Sequence, residues 1–323
     1  MMISVIIPTL NEAAYLPHLL EALARQTRQP DEVIVADAGS RDGTLEIARA
    51  WGARVVLGGR PAVGRNAGAR VARGTWLVFL DADVVPRPDF LEKAMREIEA
   101  RRLDIATCLM EPLSPRPTDR VFHEVANGYL LALQWISPRA PGFCLLIRRD
   151  LHETIGGFDE TLLLAEDHDY VRRASRYGRF GVLTTVRIPV STRRLEEEGV
   201  FPLLLKYLWA EAQVWAGRPI RSLPFDYAFG HHRPSSRPGG RVEEGKGTWL
   251  AWPSILHPRS VMRRIGSRSE ALPVPWRWRL LSGKRPLWAS RPKATRDDPS
   301  PPPGAALHPH PLETGKRGSR SNL

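Results

Sequence analysis

The chain has 323 residues, of which 42% are hydrophobic, and its formal net charge is +12. This length is sufficient for one large hydrophobic core or two small ones. The sequence contains no run of 18 apolar residues, so no membrane-spanning helix is expected. Its two cysteines are too few for a disulfide framework or a zinc site, and we therefore expect a cytoplasmic protein with reduced thiols.

The positive charge is concentrated at the C-terminus. Residues 233–323 contain 18 Lys and Arg against 6 Asp and Glu, which leaves 29 of each sign in residues 1–232. We predict a folded domain over residues 1–232 and a basic, disordered tail over residues 233–323, rich in Pro, Arg and Trp. A GC-rich gene read out of frame would give a similar tail, which an intact-mass measurement on the native protein would test. Because the domain is neutral, it is not expected to bind nucleic acid.

Strands and helices alternate from the N-terminus. Hydrophobic patterns predict strands at residues 3–7, 32–36, 54–57 and 76–80, and helices at residues 13–25, 44–51 and 62–72. Such alternation is typical of a parallel sheet with crossover helices, which makes this an α/β protein. Further along the chain, the pattern predicts helices at residues 88–101, 118–135, 166–177 and 200–215, and strands at residues 103–109, 143–148 and 180–190.

Polar residues cluster directly after three of these strands, at residues 8–12, 37–42 and 81–83. The carboxyl ends of parallel strands meet at one edge of a sheet, where α/β folds bind ligands. Asp81 and Asp83 are two residues apart at the end of a buried strand, so both carboxylates should point to one place. Such oxygen ligands suit Mg²⁺ or Mn²⁺. A bare Asp-x-Asp also arises by chance, and a second one occurs at Asp167 and Asp169.

Taken together, these motifs resemble the family 2 glycosyltransferases of GT-A fold. The resemblance covers roughly residues 3–195, and it rests on residues 5–12, 33–44, 64–68, 79–83, 156–159 and 165–167. It implies a Rossmann-like, mixed but mostly parallel sheet with helices on both faces. It also implies transfer of a sugar from a UDP- or GDP-linked donor to an acceptor hydroxyl, usually with inversion and with Mg²⁺ or Mn²⁺ as cofactor.

The resemblance assigns most of the polar motif residues to binding of the donor. The residues expected to bind the nucleotide sugar are Pro8, Thr9, Asn11, Glu12, Asp37, Gly39, Arg65, Asp81, Ala82, Asp83, Arg193 and Arg194. Asp81 and Asp83 are the expected metal ligands, with His231 as a candidate third ligand. Helix capping is the alternative role for Asn11, and a surface position is the alternative for the three arginines. Asp37 has no capping role visible in the sequence, which favours a ligand role.

The acceptor side of the resemblance centres on Asp167. This residue is the expected general base, and Glu166 is expected to assist it or to bind the acceptor. Ala165 stands where the family commonly has threonine. A negatively charged helix N-terminus is the alternative interpretation of the acidic pair. Gly142 and Gly157 are expected beside the acceptor, although ordinary turns would also explain them.

Two other activities and one further partner remain open. A sugar nucleotidyltransferase would need a glycine-rich phosphate loop after the first strand, and residues 8–14 contain no glycine. A non-catalytic nucleotide-sugar binder would not need Asp81, Asp83 and Asp167 together. The acceptor is an unidentified saccharide or lipid-linked molecule. Residues 201–215 form an amphipathic helix that either packs in the core or lies on the inner face of an anionic membrane, where the basic tail would add attraction.

Overall fold

The computed structural model describes residues 1–225. Its strands are β1 (Ile3–Thr9), β2 (Glu32–Asp37), β3 (Arg54–Leu57), β4 (Trp76–Leu80), β5 (Ile105–Pro112), β6 (Cys144–Arg148) and β7 (Phe180–Val190). Its helices are α1 (Leu16–Ala24), α2 (Thr44–Trp51), α3 (Pro61–Val71), α4 (Phe90–Arg101), α5 (Pro117–Leu133), α6 (Arg149–Thr154), α7 (Glu166–Ala174), α8 (Arg193–Glu198) and α9 (Val200–Trp215).

The strands form one mixed sheet in the order β3-β2-β1-β4-β6-β5-β7. β6 is antiparallel to both of its neighbours, and every other pairing is parallel. The expected mixed but mostly parallel sheet is therefore confirmed. Its topology places the carboxyl ends of β1, β2, β4 and β7 at the same edge as the beginning of β6. Side chains from five distant parts of the chain consequently meet there.

Helices cover both faces of the sheet. One buried apolar cluster joins α1 and α4 to the sheet, and a second joins α3 and α7 to it. In α1 the four leucines share one face and are all buried. The backbone of α3 lies very close to β1, since a Cβ atom on Gly68 would lie 2.3 Å from Cγ2 of Ile6. The glycines of α3 at positions 64 and 68 allow the arginine at position 65 to approach the sheet edge.

Several predicted details differ from the structure. The first helix begins at Leu16 rather than near residue 13, because Asn11 has a left-handed backbone (φ 56°) and does not cap it. The short helices α6 and α8 were not predicted from the pattern. None of the described helices is long and apolar enough to cross a membrane. The predicted tail over residues 233–323, and His231, lie outside the described residues.

Candidate active site

Hydrogen bonds join the end of β1 and the loop after it to the end of β2 and its following loop, at the sheet edge. The buried carboxylate of Asp37 accepts hydrogen bonds from the Thr9 hydroxyl (2.8 Å) and from the backbone amides of Gly39 and Ser40 (2.9 and 2.8 Å). Asn11 accepts from the amide of Arg41 (2.8 Å). Asp37 therefore has a structural role that the sequence did not reveal, because it folds the loop that follows its own strand.

The next group joins the end of β1 to the end of β4. The guanidinium of Arg193 donates to both carboxylate oxygens of Glu12 (2.9 and 2.8 Å), and its Nε lies 3.3 Å from Oδ2 of Asp83. Burial raises the pKa of Asp83 to about 6; Arg193 opposes this rise, and the charges of Asp81 and Glu12 add to it. The carboxyl of Asp83 is therefore in an environment that favours a bound proton or an additional cation.

Arg65 is the centre of the site. It is 2% exposed, and it donates from Nη1 to Glu166 (2.9 Å) and from Nη2 to Asp81 (3.0 Å). Nη2 also donates to the carbonyl oxygen of Gly142 (3.1 Å). Burial would lower the pKa of Arg65, but the surrounding carboxylates outweigh it and raise that pKa. A buried arginine requires such partners, so the surface alternative for this residue is excluded.

Asp167 and Glu166 begin α7 beside this guanidinium. Burial raises the pKa of Asp167 to about 6, and the charge of Arg65 counteracts part of that rise. Burial, followed by the charge of Asp167, raises the pKa of Glu166. A Cβ atom on Gly142 would lie 2.5 Å from Nη2 of Arg65 and 3.2 Å from Oδ2 of Asp167, so glycine leaves room for both side chains. A carboxyl that titrates near neutrality is suited to general-base catalysis.

The structure does not bring every predicted site residue into this group. The Ala82 side chain is buried in the core, as expected for the residue between two outward-facing aspartates. Gly157 turns the chain at φ 74° beside Asn66 and His152 instead. The charge of Arg194 opposes the rise that burial causes in the pKa of Tyr207 in α9, whereas the neighbouring Arg193 enters the site. Pro8 packs against α3, where a Cβ atom on Gly64 would lie 3.2 Å from the proline Cβ.

Asp81 and Asp83 provide the donor atoms that a hard divalent cation prefers. No group of three or more His, Cys, Asp or Glu side chains in residues 1–225 forms a complete metal site. A magnesium-type ion, however, is commonly held by one or two carboxylates, with substrate phosphates and water completing its shell. Burial raises the pKa of Asp83, so its ionised form is poorly solvated and would be stabilised by a cation. These two residues therefore fit Mg²⁺ or Mn²⁺.

One part of the site was missed by sequence reasoning. Arg139 is 1% exposed and forms an ion pair with Glu211 of α9. The other oxygen of Glu211 lies 3.8 Å from Nε2 of His168. The same nitrogen is 4.0 Å from Oδ1 of Asp167. The last described helix is thereby attached beside the acidic pair. An arginine between two prolines, just before the apolar run that begins at residue 143, was the available signal, because a buried arginine needs an acidic partner.

Residues 4–156 match the sequence profile described as glycosyl transferase family 2. This segment belongs to that family. Glycosyltransferase AglE of Haloferax volcanii is 30% identical over 188 residues, covering 54% of this chain and 62% of the relative. A PGL/p-HBAD biosynthesis glycosyltransferase of Mycobacterium tuberculosis is 45% identical over 92 residues, or 25% of this chain and 35% of the relative. The chain thus spans less than two thirds of the length of these relatives.

The fold of the family 2 domain also has a counterpart among solved structures. S. aureus TarS 1-349 in complex with UDP-GlcNAc superposes with a TM-score of 0.50 at 24% identity, covering 59% of this chain and 58% of that one. At this level of identity the likeness concerns the fold alone. The seven-stranded mixed sheet with helices on both faces is the GT-A arrangement that the motifs predicted.

Proposed function

We propose that this domain transfers a sugar from a UDP- or GDP-linked donor to an acceptor hydroxyl with inversion. The observation that carries the proposal is the position of Arg65, which contacts Asp81 on one side and Glu166 on the other. It thereby joins the carboxylates suited to a donor diphosphate to the acidic pair suited to an acceptor. The relatives that this chain resembles are glycosyltransferases by name, which supports the same reaction class.

The residues divide between donor and acceptor. The end of β1, with Pro8 and Thr9, and the loops after β1 and β2, with Asn11 and Gly39, form the nucleoside side. The diphosphate lies near Asp81, Asp83 and Arg193. Mg²⁺ or Mn²⁺ bound there supplies Lewis-acid stabilisation of the leaving diphosphate. Asp167 takes the proton from the acceptor hydroxyl as the hydroxyl oxygen attacks the anomeric carbon of the donor sugar. The bond from that carbon to the diphosphate breaks, and the nucleoside diphosphate leaves with the electron pair.

A single displacement of this kind inverts the anomeric centre, because the hydroxyl approaches from the side opposite the leaving group. It needs one general base and no protein nucleophile. Asp167 suits the base, since its pKa of about 6 makes it largely unprotonated at neutral pH while it remains basic enough to accept a proton. Arg65 holds Glu166 and Asp81 in place and keeps their charges from raising that pKa further.

We extend the proposal to the setting of the reaction, a saccharide or lipid-linked acceptor at the cytoplasmic face of an anionic membrane. Cys108 and Cys144 are free and buried, which suits a reducing compartment. Against a nucleotidyltransferase, the segment that follows β1 offers no glycine-rich loop for phosphates.

The test is to incubate the full chain with Mn²⁺ and a panel of UDP- and GDP-sugars, with and without sugar acceptors, and to measure release of the nucleoside diphosphate. We expect one donor to be turned over, and we expect that turnover to require the metal. Binding of a nucleotide sugar without any turnover would favour the non-catalytic alternative. Release of pyrophosphate from a nucleoside triphosphate and a sugar phosphate would favour the nucleotidyltransferase.

A further inference from the structure

The solvent-facing side of α9 is apolar along its whole length. Positions three, four and seven residues apart share one side of a helix. The exposed side chains at this spacing are Phe201 (69% exposed), Leu204 (39%), Leu205 (52%), Leu208 (55%) and Trp215 (56%). Leu203 and Ala210, on the opposite side, are buried. The helix therefore has a second apolar side that residues 1–225 leave uncovered.

Helix α5 also exposes apolar side chains, although Glu124, which pairs with Arg187, lies among them. Its inward side buries Asp119, His123, Asn127 and Leu130. On the outward side, Val121 and Val125 are 63% and 68% exposed, and Trp135 and Ile136 follow the helix with 69% and 77% exposure. Scattered apolar residues on a surface are ordinary, but a complete apolar helix side with further exposed apolar side chains beside it is not.

The two exposed sides meet at one point. Nε1 of Trp215 donates to the Tyr129 hydroxyl (3.4 Å), which donates to Glu211 (2.8 Å). Within α9 the charged side chains are Lys206 and Glu211, and these pair with Glu198 and Arg139 respectively. No unneutralised charge therefore interrupts the outward side of α9. We call these exposed residues of α5, α9 and positions 135–136 the α5/α9 surface.

We infer that the α5/α9 surface docks on an anionic lipid bilayer. Two features favour lipid over another occupant. Tryptophan and tyrosine side chains, which prefer the boundary between hydrocarbon and water, lie among aliphatic side chains. Exposed arginines lie near two ends of this surface, Arg120 in the first turn of α5 and Arg218 after α9, where they complement acidic headgroups. Helices with such apolar sides and basic ends lie in the interface plane of a membrane without crossing it.

The docked surface lies beside the acidic pair. Glu211 of α9 is 3.8 Å from His168, the residue after Asp167, and the charge of Asp167 affects the pKa of Tyr207 in the same helix. An acceptor carried by a lipid would therefore enter close to Asp167. This consequence rests on the proposed function, whereas the docking itself does not.

The experiment is flotation of the full chain in a density gradient with vesicles of phosphatidylcholine, with or without phosphatidylglycerol. We expect flotation with the acidic vesicles, and less of it with neutral vesicles or at high salt. The variant Leu205→Glu/Leu208→Glu should float roughly tenfold less, since each glutamate must enter the apolar contact. The matched control is Tyr177→Glu, which places one glutamate at an apolar position that is 70% exposed but outside this surface.

Nucleotide binding, measured by calorimetry with UDP or GDP and Mn²⁺, separates the two proposals. A double variant that binds nucleotide normally but no longer floats supports docking. A wild-type chain that binds nucleotide and floats with neither vesicle overturns docking and the membrane setting, while leaving the proposed sugar transfer intact. Light scattering that shows a dimer for the wild type and a monomer for the double variant would assign the α5/α9 surface to a second copy of the chain. That result would also overturn docking on lipid.

Discussion

The acidic residues at the start of α7 differ in their partners, and this difference assigns their roles. Glu166 is fixed by Arg65 at 2.9 Å, so its carboxylate is committed to an ion pair. Asp167 receives hydrogen bonds from the backbone amides of His168 (2.8 Å) and Gly142, and no guanidinium of residues 1–225 bonds to it directly. A base must have a lone pair available for the incoming proton. This requirement favours Asp167 as the base and Glu166 as the residue that positions Arg65.

The substitution Asp167→Asn should therefore abolish transfer. The amide cannot accept the proton, so we expect a fall in turnover of about 10²- to 10⁴-fold. Affinity for UDP or GDP with Mn²⁺, measured by calorimetry, should remain near that of the wild type. Asp169→Asn is the matched control, because Asp169 lies in the same helix but pairs with Arg172 and Arg173. If the Asp167 variant keeps most of its turnover, the assignment of the base is wrong.

The pH dependence should report the same group. A base with a pKa of about 6 is protonated and inactive below that pH, so kcat/KM should rise with pH and level off above it. Asp83 also has a pKa near 6 and would contribute to the same limb.

Manganese separates the two contributions, because a bound metal competes with the proton on Asp83 but does not bind Asp167. We expect the acid limb to stay near pH 6 when Mn²⁺ is raised to saturation. A limb that moves steadily to lower pH with increasing Mn²⁺ would assign it to Asp83 instead.

At the scale of elements, the strand pattern and most helix starts could be predicted, but the start of α1 could not. Strands β1 to β4 are continuous apolar runs, and they occur within one or two residues of the predicted positions. The start of α1 depends on the left-handed backbone of Asn11, which hydrogen bonds to the neighbouring loop impose. Such a conformation depends on partners about thirty residues away, so local pattern does not encode it.

Close packing of α3 on β1 gives a prediction at the same scale. Gly68→Ala would place a Cβ atom 2.3 Å from Ile6, and relief of that overlap should cost about 1–3 kcal/mol in the free energy of unfolding. The matched control is Gly128→Ala in α5, where no atom lies within 4 Å of the added carbon. That change should stabilise the fold by about 0.5–1 kcal/mol, because alanine is the better helix former.

Urea unfolding of the full chain, followed by far-ultraviolet circular dichroism, would measure both variants. The two midpoints should shift in opposite directions from that of the wild type. A Gly68→Ala midpoint equal to the wild-type value would mean that α3 can move away from β1, and that glycine is not required for the position of Arg65.

For the whole molecule, the sequence predicted which residue types meet at the sheet edge but not how they pair. The motifs placed Glu12, Asp81, Asp83 and Asp167 at the ends of predicted elements, and the topology confirms a shared edge for those strands. The ion pairs joining Arg65 to Glu166 and Arg193 to Glu12 span 101 and 181 residues of sequence. Pairing over such distances is decided by the packed fold. The choice between Arg193 and Arg194 could not be made without it.

The charge balance of the cleft leads to a last prediction, on the stability of the whole protein. Five carboxylates contribute to the site, those of Glu12, Asp81, Asp83, Glu166 and Asp167, against the guanidinium groups of Arg65 and Arg193. A diphosphate entering this excess of negative charge is repelled unless a cation accompanies it. UDP or GDP should therefore raise the melting temperature strongly only together with Mn²⁺.

Ligand at a hundred times its dissociation constant stabilises the folded state by about 2.7 kcal/mol, which corresponds to roughly 5–10 °C for a domain of this size. Uridine or guanosine is the control, because without the diphosphate its binding has no electrostatic reason to depend on manganese. The measurement is a thermal shift of the full chain with each compound, with and without Mn²⁺. An equal shift by the diphosphate in the presence and absence of the metal would mean that Arg65 and Arg193 neutralise it unaided, and that Asp81 and Asp83 are not metal ligands.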